Sequence, residues 1–324
     1  MHIAKLSYDT NPSVEVERET LGARGNIDIV TFKGDTRRLV QDLAPYDGIL
    51  TDYVPLTGEI IAGLDKCKVI SVEATGWTSV DGAAAAAKGI YVCALGEYCT
   101  QEVADHTLAL LLALQRRLVL FNNNAHLHKK WDWQVAPDIE RMEGQTLGLL
   151  GFGRIGQAVA ARAKAFGLRV IAYDPFLPPD VAAAINAPLK NLDEVLAESD
   201  YISVHMAVDD DNKGLLDYAK FRKMSRRPFI INVARGLAIN EPDLVRALDE
   251  GLLRGAGLDV LSTERPDLAA HPLTGRDNVI LTPHAAFYSR TSLYLIYKIA
   301  TENIMHVLAG DFARVNKLVA GPGL

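Results

Sequence analysis

Cysteine is scarce in this chain and long apolar runs are missing, and each shortage narrows what the molecule does. The three cysteines, Cys67, Cys93 and Cys99, are too few and too unevenly spaced for a disulfide framework or a zinc site. Reduced thiols and no bound metal are therefore expected. The most apolar stretch, Thr107 to Leu120, is interrupted by Gln115, Arg116 and Arg117 and is too short and too broken to span a bilayer. Basic residues do not dominate. With 34 Lys and Arg against 40 Asp and Glu, the net charge is -6, and without a basic cluster there is no electrostatic case for nucleic acid. No low-complexity tract points to disorder. The opening residues, Met1-His2-Ile3-Ala4-Lys5-Leu6, run straight into a strand pattern with no signal-peptide character, so a cytoplasmic protein is expected.

What is present is alternation. A length of 324 residues accommodates two domains, each with its own core. Strands are expected at His2–Tyr8, Ile27–Phe32, Gly48–Thr51, Lys68–Val72 and Ile90–Cys93, bounded by Gly, Pro or Asp. Between the last two, Ser79-Val80-Asp81 precedes an alanine run from Ala83 to Ala87, an N-cap followed by strong helix formers. A single long helix is expected from about Gln101 to Phe121, apolar around most of its circumference and so buried, with a subunit interface as one setting. Asn122 to Glu143, with Trp131 and Trp133, has no period and reads as an irregular arm. A second alternating unit follows, with strands at Thr146–Leu150, Arg169–Tyr173, Tyr201–His205, Phe229–Val233, Arg254–Val260 and Val279–Thr282. A closing helix spans about Ser289 to Ala309. Strands alternating with helices imply parallel sheets covered on both faces, an α/β fold.

The second unit opens with Gly151-Phe152-Gly153-Arg154-Ile155-Gly156. A GxGxxG run alone is weak evidence, but this one follows the apolar strand Leu147–Leu150 and starts the helix Gln157–Phe166. In that setting each glycine has a task. Gly151 permits the tight turn, Gly153 lets backbone approach a pyrophosphate, and Gly156 lets the helix pack close to the sheet. The pyrophosphate is expected at the helix N-terminus, beside Arg154 and Ile155, where N–H groups and the dipole favour negative charge. Asp174 ends the next strand, placed to accept bonds from the adenosine ribose and to repel a 2′-phosphate. NAD, rather than NADP, is the expected cofactor.

Three charged residues stand just beyond three later strands: Arg235, Glu264 and His284. In open α/β sheets ligands bind at the carboxyl ends of the strands, so this trio can converge beside a nicotinamide. Here the sequence resembles the D-isomer-specific 2-hydroxyacid dehydrogenases over nearly its whole length. The matching segments are Gly148–Gly167 with Asp174, Asn232–Gly236, Gly257–Glu264 and Leu281–His284. Within that family, Ala158–Phe166 and His284-Ala285-Ala286-Phe287-Tyr288-Ser289 resemble the branch that includes the C-terminal-binding proteins.

The resemblance implies two doubly wound domains: a flavodoxin-like substrate domain, residues 1–99 plus 288–324, and a Rossmann NAD-binding domain, residues 100–287, with the site in a cleft between them. It implies that His284 exchanges a proton with the C2 oxygen of a 2-keto or D-2-hydroxy acid. Glu264 would orient that imidazole and favour its protonated form, and Arg235 would clamp the substrate carboxylate. It further implies cofactor contacts at His205, Ala234 and Asp259, the last with the nicotinamide carboxamide, and a substrate loop at Thr75-Gly76-Trp77. A homodimer is expected on the same ground. Three departures bear on the substrate. An indole stands at Trp77 where a second glycine is common, and a proline is missing from His205-Met206-Ala207-Val208. Phe287 and Tyr288 follow His284 where smaller runs are usual, which would favour an apolar substrate side chain. Two other functions stay open: phosphoglycerate dehydrogenase, although no basic cluster for a phosphate is found, and an NAD-sensing interaction protein like the C-terminal-binding proteins.

Overall fold

The structure is a computed structural model and describes residues 1–178, 181 and 187–324. Twelve strands form among them: β1 (His2–Ser7), β2 (Asn26–Thr31), β3 (Gly48–Thr51), β4 (Val69–Val72), β5 (Tyr91–Cys93), β6 (Thr146–Leu150), β7 (Arg169–Tyr173), β8 (Tyr201–Val204), β9 (Phe229–Asn232), β10 (Gly255–Leu258), β11 (Val279–Leu281) and β12 (Leu318–Ala320). They build two six-stranded sheets, ordered β12-β5-β4-β3-β1-β2 and β11-β10-β9-β8-β6-β7. The chain divides into two compact units, Met1–Tyr98 with Ser289–Leu324, and Cys99–Tyr288.

In the first unit β1 to β5 are parallel. The edge strand β12, which hydropathy did not reveal, is antiparallel to β5. The alanine run forms the helix Gly82–Lys88, where Asp81 accepts the Ala84 N–H and Gly89 ends it in the left-handed region. One face of the sheet buries Leu6, Ile49, Ile70 and Val92 in a continuous apolar core. The other lies beneath the helix Arg290–Leu308, which starts with a Ser289–Ser292 capping box. It packs so closely that a Cβ on Gly48 would press on the Ile304 side chain.

Under that second face lies a sealed group of charges. Lys5 Nζ donates to Glu17 and to Glu73, each at 2.7 Å, and all three side chains are no more than 5% exposed. The Tyr297 ring lies 4.1 Å from the same ammonium. Burial pushes the Glu73 carboxyl up to about 7, against the pull of Lys5. Burial also draws Lys5 downward, but Glu73 and Glu17 more than offset it, and its ammonium ends above the usual lysine range.

The second sheet is parallel throughout. The order reverses at β6, which has β7 on one side and β8 on the other. At the β7 edge a single parallel bridge joins Ala172 to Leu189, and the reversal of order at β6 is that of the doubly wound plan. Helices Thr100–Gln115 and Arg154–Ala165 cover one face, burying Leu111, Leu149, Val159 and Ile231. Helices Leu192–Glu198 and Glu241–Asp249 cover the other, burying Val195, Ile202, Ile230 and Leu244.

The single helix expected from Gln101 to Phe121 is two: Thr100–Gln115 and Leu118–His126. The break falls on the polar residues that interrupted the hydropathy. Gln115 is buried and donates to the Glu140 carbonyl, and Arg117 turns left-handed, φ 52°, with its guanidinium 5.7 Å from the Phe229 ring. The arm accordingly begins helical, and from Leu127 to Gln145 no helix or strand forms.

Candidate active site

The glycine loop lies at the switch point of the second sheet. Gly151, φ 93°, sits so close to the segment after β8 that a Cβ would meet Met206 N and the His205 carbonyl carbon. The residue must be glycine on both counts. A Cβ on Gly156 would collide with the Gly151 carbonyl, which is the close helix packing expected there. At Gly153, by contrast, nothing of the chain lies within 4 Å of the Cβ position. The helix that starts at Arg154 has no side-chain cap; Arg154 is exposed and Ile155 is half-buried against the core. Open space beside an uncapped helix start fits a pyrophosphate.

Asp174 closes this region. Its Oδ2 accepts the Phe152 N–H at 2.8 Å and its Oδ1 the Phe176 N–H at 3.0 Å, fastening the glycine loop to the end of β7. A carboxylate has lone pairs for further donors, so ribose hydroxyls remain compatible with this placement. His205 is held by its backbone, which donates to Leu150, and by a 2.8 Å bond between its ring Nε2 and Ser203 Oγ. Burial drops the imidazole to about 3, so the ring is neutral, and Nδ1 is shut away without a partner among the described residues.

The three charged residues follow β9, β10 and β11, which are neighbours in the sheet. Pairing in parallel register puts all three at its carboxyl edge. His284 Nδ1 and Glu264 Oε2 are 2.9 Å apart, with the imidazole 30% and the carboxylate 65% exposed. Arg235 is exposed, and its guanidinium donates to the Ala234 carbonyl at 2.7 Å. The loop bearing Arg235 lies directly against the loop leading to Glu264, since a Cβ on Gly236 would overlap the Leu261 carbonyl.

Each strand-end loop is held by a polar side chain to which the sequence pattern assigned no such role. Buried Asn232 accepts from Ala234 N–H and donates to the Arg235 carbonyl. Glu241 accepts the Ser262 N–H at 2.8 Å and is paired with His271 at 2.9 Å. Asp259, whose side chain is fully buried, accepts from Thr282, Ala285 and Ala286. His106 reaches this group through Thr282, Nε2 to Oγ1 at 3.0 Å. For Asn232, Asp259 and Thr282 the only sequence signal was a polar residue at or just past the end of a strand; Glu241, His271 and His106 carried none.

In the first unit Thr75 is exposed and Gly76 half-buried after β4. The Trp77 indole does not stand free. It packs on the core of its own unit, against the start of the helix Gly82–Lys88. Phe287 likewise packs against the core of the second unit, while Tyr288 is 62% exposed.

This geometry agrees with the chain's likenesses. The profile of the D-isomer specific 2-hydroxyacid dehydrogenase NAD binding domain matches residues 108–286. The chain is 32% identical over 281 residues to a glycerate dehydrogenase of Methylorubrum extorquens, covering 84% of this chain and 86% of that one. It is 33% identical over 277 residues to a glyoxylate reductase of Korarchaeum cryptofilum, covering 84% and 82%. In fold it matches the D-lactate dehydrogenase of Aquifex aeolicus, solved with NAD and lactic acid, with a TM-score of 0.85, 28% identity and coverage of 99% and 100%. On these likenesses the chain belongs to the D-isomer specific 2-hydroxyacid dehydrogenases and is an NAD-dependent oxidoreductase.

Proposed function

We propose that this enzyme reduces a small 2-keto acid to the D-2-hydroxy acid, with Arg235, Glu264 and His284 acting on the substrate. The observation that carries the reading is the 2.9 Å contact between His284 Nδ1, beyond β11, and Glu264 Oε2, beyond β10, with Arg235 beyond the neighbouring β9. With Nδ1 engaged by the carboxylate, Nε2 is the imidazole atom left to hold the exchangeable proton. Arg235 binds the substrate carboxylate through its fork of N–H donors and draws the neighbouring C2 carbonyl into line. His284 then delivers its Nε2 proton to the C2 oxygen, and Glu264 stabilises the cationic ring until that transfer. Bound NADH supplies the hydride that C2 receives. Gly151, Gly153, Arg154, Ile155 and Gly156 would hold its pyrophosphate, Asp174 the adenosine ribose, and His205 and Ala234 would contact the cofactor as well.

Glyoxylate and hydroxypyruvate are the substrates we favour. Relatives are named glyoxylate reductase, hydroxypyruvate reductase and glycerate dehydrogenase. Those names favour a turnover role over NAD sensing and over phosphoglycerate oxidation. Phe287 is half-buried against the core and stands edge-on to His284, ring centroids 6.4 Å apart, so an aromatic ring does neighbour the proton donor; the preference for small acids rests on the relatives' names. The test is a panel of glyoxylate, hydroxypyruvate, pyruvate, phosphohydroxypyruvate and bulkier apolar 2-keto acids with NADH. The highest kcat/KM is expected for the first two, and tight NADH binding without turnover of any acid would overturn the reading. Asp174→Ala should narrow the preference for NAD over NADP; an unchanged preference would reduce Asp174 to its turn role.

We further propose a cytoplasmic homodimer in the branch that includes the C-terminal-binding proteins. Leu118, Val119, Leu127, Trp131 and Trp133 are exposed on one stretch of chain, Trp131 at 97%, an apolar run of the kind a partner subunit covers. Sedimentation at twice the chain mass supports the dimer, and a monomer refutes it.

A further inference from the structure

His284 stands in a backbone conformation that histidine seldom adopts, with φ 51°. Three successive amides at this turn converge on one residue. His284 N–H donates to the Asp259 carbonyl at 2.7 Å, Ala285 N–H to Oδ1 at 2.8 Å, and Ala286 N–H to Oδ2 at 2.9 Å. Asp259 is in turn fixed by its own N–H, which donates to the Asn232 carbonyl of β9 at 2.9 Å. Its side chain is cut off from solvent, so its lone pairs must be met by the chain.

A fourth donor comes from Thr282, whose hydroxyl gives its proton to Oδ1 at 2.5 Å. That hydroxyl has one proton and a carboxylate only accepts. Toward His106, 3.0 Å away on the helix Thr100–Gln115, the Thr282 oxygen is therefore the acceptor, and His106 Nε2 carries a proton. The same nitrogen lies 3.6 Å from Asp259 Oδ1. The order of the chain of bonds is thus fixed: His106 to Thr282, Thr282 to Asp259, and Asp259 to the amides of the His284 turn.

We propose that Asp259 is the positioning residue for His284, and that Thr282 and His106 lock Asp259 in that task. The inference rests on the reading of His284 as the proton donor. It gives Asp259 a task in addition to the carboxamide contact implied by the resemblance, since among the described residues Oδ2 accepts only the Ala286 N–H and keeps a lone pair. Both carboxylate oxygens already face donors of the chain, and the turn they hold is the one that aims the imidazole. A shift of that ring by a fraction of a bond length slows proton delivery without altering cofactor affinity.

The test compares Thr282→Val, which keeps the shape and removes the hydroxyl, with Thr282→Ser, which keeps the hydroxyl. His106→Leu is a second break in the same chain of bonds, with identical readouts should Thr282→Val not fold. Three quantities are read: kcat with glyoxylate, NADH affinity by fluorescence, and amide hydrogen exchange in the peptide covering Leu281–Tyr288. Thr282→Val and His106→Leu are expected to lower kcat by about 10-fold, leave NADH affinity unchanged and speed exchange in that peptide, while Thr282→Ser keeps all three near wild type. Unchanged kcat and exchange in both breaks would overturn the proposal. So would weakened NADH binding at full kcat, which would return Asp259 to the cofactor. If the wild-type protein turns over no 2-keto acid, the functional reading fails, and the exchange data still decide whether this chain of bonds holds the turn.

Discussion

In both units the first strand lies between the second and the third and the sheet grows outward on one side, β2-β1-β3-β4-β5-β12 in one and β7-β6-β8-β9-β10-β11 in the other. The charges are placed in opposite ways. In the first unit Lys5 stands within β1, sealed beneath a helix with Glu17 and Glu73. In the second, Arg235, Glu264 and His284 stand beyond strand ends, with Glu264 65% exposed against 1% for Glu17. A buried ion group gains Coulomb energy but loses hydration, so its effect is felt in stability. A charge beyond a strand end keeps its hydration and its reach, and is free to meet a ligand. What the strand-end charges need from burial is orientation, and uncharged or fully paired neighbours supply it: Asn232, Glu241 with His271, and Asp259 with Thr282.

The contrast breaks first at Lys5. Replacing it as Lys5→Met leaves Glu17 and Glu73 buried without a cation, and the chain should lose about 3–5 kcal/mol in denaturant unfolding. A loss indistinguishable from zero would show that the group is not a dry ion cluster. Burial of Glu73 should show in the pH dependence of stability. Folded, its carboxyl holds a proton up to about pH 7, whereas its ordinary value is 4.5. Between those values the native chain binds more protons than the unfolded one, so this residue makes stability fall as pH rises, by ~3 kcal/mol across the window. Below it the penalty is absent, and above it the penalty is constant. The difference in stability between wild type and Glu73→Gln should follow that slope; a flat difference, or one of opposite sign, would contradict the account. The smallest effect is expected at Asn232. Asn232→Ala frees the turn that carries Arg235, which should cost about 1–3 kcal/mol of stability and raise KM for the acid. An unchanged KM would mean that Arg235 needs no such clasp.

The sequence made the second unit easy to read because β6, β8, β9 and β10 are buried on both faces and so appear as apolar runs. β6 and β7 fall at the expected residues, and the helix after Gly153 begins within a turn of where periodicity put it. The trio was legible because its members follow their strands by a few residues each. What escaped was whatever depends on partners far apart in the chain. Lys5 meets Glu73 across 68 residues, and His106 meets Thr282 across 176; neither leaves a local pattern. His106 by itself reads as packing, and Lys5 reads as one polar residue in a strand. β12 is three half-buried residues long, below what alternation can mark. The break at Arg117 was visible as polarity, but a long apolar stripe on either side outweighed it.

The proposed function depends on His284 delivering the proton that accompanies hydride transfer to C2. Its most direct test is rapid mixing of NADH-loaded wild type and His284→Ala with glyoxylate, following the loss of reduced-nicotinamide absorbance in a single turnover. The step should slow by about 10²–10⁴-fold in the variant with NADH affinity intact. Equal single-turnover rates in the two proteins would contradict it.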